Sequence, residues 1–273
     1  MIVSSNVAVL NSFNKVTKNK GAKNELVEKI SSGKRINRAA DDAAGLSISE
    51  SIKAQVRGMS MAEKNIQDGI SLIQVADGAM GEITKNLHRM KELSVQASND
   101  TLTDKDRGNL EDELTQLKHN IDTIASETEF NGIKILKEDR VLTLQVKDSP
   151  YTTYELQLFN VTTGALGIED ISVALGQKAQ KANFKVDEAL NKITGFRTSL
   201  GSDLNNLQHS FSDASNSGSN LTAALSGIED INMATALMRS VKERVMLDCN
   251  ESMLTAARQN NDNVNVVLNK WLS

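Results

Sequence analysis

The spacing of apolar positions changes twice along this chain and divides it into three parts. In the first part, Ile66, Ile70, Ile73, Asp77, Met80, Ile83, Leu87, Met90 and Ser94 advance by four or three residues at a time. That is a heptad-like stripe with polar lapses at Asp77 and Ser94, and it predicts one long helix over 45–98. Such a helix is roughly 80 Å long at about 1.5 Å per residue. Bundles, coiled coils and fibres use helices of that length, and compact domains seldom do. Ser98-Asn99-Asp100 ends it, and Thr103 with Asp106 forms an acidic variant of the capping box for the next helix. There Leu110, Leu114, Leu117, Ile121 and Ile124 again step by four and three. The short spacer predicts that this helix folds back antiparallel.

The period shortens near residue 130. Asn131-Gly132 is a turn signal, and Val141–Val146 and Tyr151–Leu158 alternate as strands around Lys147-Asp148-Ser149-Pro150. Residues 161–175 read as loop with a short extended stretch. Helical spacing returns at Val186, Leu190, Ile193 and Phe196 and continues through Leu200, Leu204, Leu207 and Phe211. Ser210–Asn220, rich in Ser, Asn and Gly, reads as a break or hinge. A last helix carries Leu221, Leu225, Ile228, Ile231, Ala234, Met238, Val241 and Val245, with a later apolar set at Val264, Val267, Leu268, Trp271 and Leu272. At the other end, Val3, Val7 and Leu10 lie at helical spacing, as do Val9, Phe13 and Val16, before a break at Ser31-Ser32-Gly33. The expected fold is therefore mainly α: a long antiparallel helical bundle or coiled-coil rod, with a small β-hairpin region at about 130–175 and both termini together.

Composition supports a helical protein with an aliphatic core. Aromatic residues make up 3% of the chain, and Pro150 is the one proline. The net charge of −4 gives no sign of a nucleic-acid partner. From Lys15 to Arg38, however, eight Lys or Arg face two Glu. That stretch is either a solvated face or a segment that orders only when it assembles. Cys249, the one cysteine, cannot form an internal disulfide and reads as a small buried hydrophobe rather than an incidental thiol. No apolar run is long enough for a membrane span, and the first residues lack a signal-peptide core. Alone, these absences point to the cytoplasm.

The sequence also argues against an enzyme. His88, His119 and His209 form no metal motif, and no nucleophile elbow, cysteine cluster or phosphate-binding loop is present. Asp41 and Asp42 are adjacent and so do not share a helix face; they read as capping or interface groups. No cofactor and no metal are expected.

Several stretches resemble one family. Leu26–Glu50, LVEKISSGKRINRAADDAAGLSISE, is similar to the N-terminal signature of bacterial flagellins. NIQDGISLIQVADGAM at 65–80, ETEFNGIKIL at 127–136, ALGIEDISV at 165–173 and NLTAALSGIEDINMATALM at 220–238 resemble further flagellin segments, in family order. Little room for outer variable domains remains between Leu136 and Ala165.

The resemblance implies an extracellular structural subunit that polymerises into the flagellar filament for motility. It implies that 1–45 and 226–273 are inner-core helical segments, disordered until assembly, and that 46–225 is a rod domain. It implies export through the flagellar type III apparatus with a chaperone on the C-terminal region, followed by assembly with cap and junction proteins. Val3, Val7, Leu10, Val267, Leu268 and Trp271 are the expected assembly core. Arg89, Leu93 and Glu113 match positions where some flagellins contact a host innate immune receptor. A minor flagellin is one alternative, suggested by the acidic segment Leu225–Asp230, by Cys249 and by a tail ending in Asn269-Lys270-Trp271-Leu272-Ser273; a hook–filament junction protein, which shares both terminal segments and the export route, is the other.

Overall fold

A computed structural model of the chain describes the backbone of residues 2–174 and 176–272. The side chains at 2–6, 8, 176–177, 260–261, 264–265 and 267–272 lie outside the described residues, and with them the expectations for Val3, Val267, Leu268 and Trp271. The elements are α1 (Ile2–Ser32), α2 (Ala43–Ala97), α3 (Asp104–Glu127), β1 (Glu129–Phe130), β2 (Ile133–Lys134), β3 (Arg140–Gln145), β4 (Thr153–Leu158), α4 (Thr163–Leu166), α5 (Gly176–Glu229) and α6 (Met233–Leu272). They divide into two compact units, one of residues 1–54 with 221–273 and one of residues 55–220.

In the second unit α3 and α5 each run antiparallel to α2, and side-chain pairs mark the register. Arg89 on α2 reaches Glu113 on α3 at 2.7 Å. Farther along α2, Asp77 accepts Nε and Nη2 of Arg197 at 2.7 and 3.3 Å, and Lys91 pairs with Asp187. The heptad stripe of α2 is the core: Ile66, Ile73, Met80, Ile83, Leu87 and Met90 are fully buried or nearly so. Its two polar lapses have separate solutions. Asp77 takes the forked guanidinium of Arg197. Ser94 is buried and donates its hydroxyl to the Met90 carbonyl at 2.8 Å, so that hydroxyl is paired.

The capping box at the start of α3 forms as the sequence predicts. The Thr103 hydroxyl accepts the Asp106 N–H, and the Asp106 carboxylate accepts the Thr103 N–H. Asn131 and Gly132 take φ of 51° and 77°, the two positive values that a two-residue hairpin turn needs. They join β1 to β2, a short ladder that the sequence pattern showed only as a turn. β3 and β4 pair antiparallel with Leu142 opposite Leu156 and Leu144 opposite Tyr154. Leu156 and Leu158 point into the core. The Tyr154 hydroxyl donates to Asp203 at 2.7 Å and holds the hairpin on α5. The segment 161–175, read as loop, contains the single turn α4. Asp122 accepts both the N–H and the hydroxyl of Thr163, and Glu111 accepts Ser172 and the Val173 N–H. These two carboxylates on α3 strap the segment down.

One expected break is absent and another lies elsewhere. Helix α5 runs without interruption through Ser210–Asn220, and the chain turns instead at Asp230–Asn232. Ser210 and Ser212 donate to the carbonyls of Asn206 and Gln208 one turn back, which satisfies their hydroxyls inside the helix. Small residues there allow close approach: Ala214 is buried, and a Cβ on Gly218 would lie 3.7 Å from Glu63.

In the first unit α1 packs on α6. Gly33, at φ 72°, ends α1, and its carbonyl accepts the Ile231 N–H at 3.0 Å. Asp42 caps α2 by accepting the Gly45 N–H at 2.9 Å, and Asp41 accepts the N–H groups of Asn37 and Arg38. The capping reading of this acidic pair is thus realised. Lys29 lies against Asp41, and with the two N–H groups it holds that carboxyl below its usual range.

Candidate assembly interface

The α1–α6 pair has a regular seam. On α1 the half-buried positions Val9, Ser12, Val16, Asn19, Lys23, Leu26 and Ile30 alternate steps of three and four. On α6 Ala236, Ser240, Glu243, Leu247, Asn250, Leu254 and Ala257 do the same. The bond between Ile231 and Gly33 sets an antiparallel register in which Ile30 falls level with Ala236 and Lys23 with Glu243. This is coiled-coil spacing, but eight of these fourteen seam positions are Ser, Asn, Lys, Glu or Ala.

The large apolar side chains point the other way. Two residues along a helix is a rotation of about 200°, so Val7, two before Val9, faces away from the seam. On α6 the outward stripe is Met238, Val241 and Val245, exposed by 66, 62 and 60%. Val7 and Leu10 are exposed by 52 and 57%. Among the described residues, this unit holds three of the 37 buried apolar residues and thirteen of the nineteen large exposed ones. An ordinary folded domain has the opposite balance.

Cys249 continues the outward stripe and is exposed, which corrects its reading as a buried hydrophobe. The buried residue of that turn is Leu247, and two positions farther on the helix has turned to its outer face. Met238, Val241 and Val245 were visible in the sequence as an apolar stripe. Their direction was not, because a single helix does not reveal which face its partner takes.

A polar clasp holds the base of the pair. Glu229 is buried, and its carboxylate accepts Lys34 Nζ at 2.5 Å and Lys53 Nζ at 2.8 Å. Lys53 also reaches Glu50 at 2.9 Å. The Arg35 guanidinium donates twice to the Ile228 carbonyl, and the Arg35 N–H donates to the Glu229 carbonyl at 2.6 Å. Lys34 first and then Lys53 depress the Glu229 carboxyl below its ordinary value, and Glu229 raises Lys53. No local signal in the sequence marks this clasp, because its members are nearly two hundred residues apart.

Arg89 and Glu113 meet on the surface of the other unit, at 2.7 Å, with Glu92 at 3.0 Å from the same guanidinium. Leu93 is fully buried. The expected apolar centre of this patch therefore lies inside the helix bundle, along with Met90, Ser94 and Ala97. Among the described residues no cluster of His, Cys, Asp and Glu could hold a metal ion, and no described helix is long and apolar enough to cross a membrane.

Comparison with known proteins agrees with this arrangement. Residues 3–140 match the bacterial flagellin N-terminal helical region, and residues 184–268 match the bacterial flagellin C-terminal helical region. Flagellin of Bacillus subtilis is 37% identical over 97% of this chain and 98% of its own length. Flagellin of Halalkalibacterium halodurans is 40% identical over 95% of this chain and 96% of its own. Phase 2 flagellin of Salmonella typhimurium is 34% identical over 83% of this chain but only 44% of its own length, in keeping with a short flagellin without outer variable domains. Matched through both helical regions and aligned with short relatives end to end, the chain belongs to the bacterial flagellin family, the structural subunits of the extracellular flagellar filament.

Proposed function

We propose that this flagellin builds the inner layer of its filament through the outward apolar faces of α1 and α6, each covered by neighbouring copies of the same chain. The observation that carries the reading is the inverted balance of the first unit, whose outward stripes are more apolar than its seam. A pair with so polar a seam is marginal by itself, and burial against neighbours supplies the missing stabilisation. Ordering of residues 1–45 and 226–273 is then coupled to assembly, while 46–225 forms the next layer. Val3, Val267, Leu268 and Trp271 are, by the family resemblance, further members of this assembly core. Before assembly the Met238–Val245 stripe is the surface that a flagellar export chaperone covers, and the chain travels unfolded through the type III apparatus to the cap. Junction proteins offer matching faces at the filament base.

The test is seeded growth. Full-length chain is added to short filament fragments and followed by electron microscopy. The parent chain elongates the seeds into long filaments. A Val241→Glu, Val245→Glu variant keeps the parent's helix content in circular dichroism but does not elongate. Growth of that variant at the parent's rate refutes the reading. Parent chain that caps seeds without lengthening them identifies a minor or junction role instead.

The Arg89–Glu113 pair, half exposed on both sides, supports a second surface, read by a host innate immune flagellin receptor with Leu93 holding Arg89's turn from beneath. Arg89→Ala is expected to lower receptor signalling while leaving seeded growth intact; equal signalling removes this role.

A further inference from the structure

We infer that the tip of the β3–β4 hairpin and a patch near the start of α5 are the two halves of one head-to-tail contact between copies of this chain. Tyr151 at the tip is 97% exposed and sits at φ 68°, a left-handed value that is costly for a side chain of its size. The loop that presents it is fixed from within. Gln145 Nε2 donates to the carbonyls of Lys147 and Ser149 at 2.7 and 2.8 Å, and the Thr152 hydroxyl donates to the Ser149 carbonyl at 3.1 Å. The loop also rests on α2, where a Cβ on Gly58 would lie 2.8 Å from Asp148 Cβ. A rigid loop therefore holds a large aromatic ring away from its own unit.

The other half is at the opposite end of the same unit. Phe184 on α5 is 73% exposed, and Val95 on α2 is 54% exposed. Phe184 is one turn from Asp187 and Val95 one turn from Lys91, and these two residues pair, so Phe184 and Val95 lie at the same level of the two helices. A surface hollow of about 580 Å³ lies over Gln180, Lys181, Phe184 and Lys185. From Gly58 to Val95 the distance along α2 is about 55 Å, so Tyr151 cannot reach Phe184 within one chain.

A second copy can bring them together, and the charges match. Asp148 is the exposed carboxylate of the hairpin loop, and Lys181 and Lys185 flank Phe184. Tyr151 stacked on Phe184 and Val95, with Asp148 between the two lysines, joins an aromatic anchor to a complementary rim. Because the two halves are different surfaces at opposite ends, the contact is heterologous, and such a contact repeats as an open filament when its rotation does not close a ring. The inference rests on the chain being a filament subunit and adds the residues that join copies end to end.

A double-substitution cycle on the critical concentration for seeded growth tests it, measured by sedimentation. Elongation by the parent chain establishes separately that the chain polymerises. Both aromatic rings are exposed, so unchanged circular dichroism is expected for Tyr151→Ala, Phe184→Ala and the pair. Each single substitution raises the critical concentration about tenfold, and the pair raises it no further, since both remove one contact. Asp148→Lys and Lys181→Asp with Lys185→Asp each raise it too, and combining all three restores growth toward the parent. Independent effects that multiply to about a hundredfold in the alanine pair, or no effect from either ring, overturn the contact.

Discussion

Replacing Glu229 with Gln tests how the base of the α1–α6 pair is held. The carboxylate is 5% exposed and accepts two ammonium groups, at 2.5 and 2.8 Å. Removing one member of a fully buried ion pair costs about 3–5 kcal/mol. That figure is too large here, because Lys34 is 45% exposed and can hydrate, and Lys53 keeps Glu50. Gln also retains one oxygen acceptor. What is lost is the charge on two hydrogen bonds, one of them partly screened, for a cost of about 1–2 kcal/mol. That corresponds to roughly five- to thirtyfold in a local opening equilibrium. Amide hydrogen exchange of the full-length chain reads it at the Arg35 and Ile231 N–H groups, which bridge the two chain breaks. Protection at both should fall by that factor in Glu229→Gln at neutral pH, with the N–H groups of α3 unaffected. The pH dependence follows from the depressed Glu229 carboxyl. Its contribution is fully present above the ordinary value of 4.5 and is lost as pH falls through the lower folded value. The parent should therefore lose protection at Arg35 and Ile231 on acidification below about 4.5, and the variant should lack this component. Protection unchanged at neutral pH, or the same acid profile in both proteins, refutes the clasp as the device that holds the two breaks together.

Gly45→Ala places a Cβ 2.5 Å from Asp42 Oδ2 and 2.7 Å from Ile36 Cδ1, so the α2 cap must shift, at a cost of about 1–3 kcal/mol. Exchange at the Gly45 N–H position and a raised critical concentration for seeded growth check it. Tyr154→Phe removes a hydroxyl that donates to Asp203 and accepts from Asn206, costing about 1 kcal/mol, seen as a lower thermal midpoint with the β3–β4 backbone unchanged. Thr103→Ala removes the acceptor for the Asp106 N–H and is expected to fray the first turn of α3 in exchange measurements without changing filament growth.

Much of the second unit was legible because periodicity and burial agree there. The four-three stripe of α2 is its core, the Thr103–Asp106 box starts α3, and the alternating segments on either side of Pro150 form the hairpin. The failures have physical causes. Ser210–Asn220 looks like a hinge because Ser, Asn and Gly are weak helix formers. Packing along α5 and hydroxyl back-bonding override that propensity. Leu93 lies one step from the α2 stripe and Cys249 continues the outward stripe of α6, and only the partner helix decides which side is covered. The Glu229 clasp joins residues whose spacing carries no pattern, since ion pairs across a fold leave none.

The two units divide the requirements of a polymer. The second has a core of its own: its stripe is buried, its polar lapses are paired, and carboxylates on α3 strap its irregular segment. The first does not, and its polar seam and apolar exterior are the reverse of what stability in isolation selects. Soluble monomers and a tight polymer make opposite demands on one surface. In the proposed reading, a seam rich in Ser, Asn and Lys would meet them by keeping the pair weakly ordered until neighbours arrive, so that the apolar faces are fully presented only where they can be covered. A more apolar seam would be expected to order the pair in the monomer and to expose those faces too early. On that proposal the polar residues on the seam are as much a part of assembly as the apolar ones outside it.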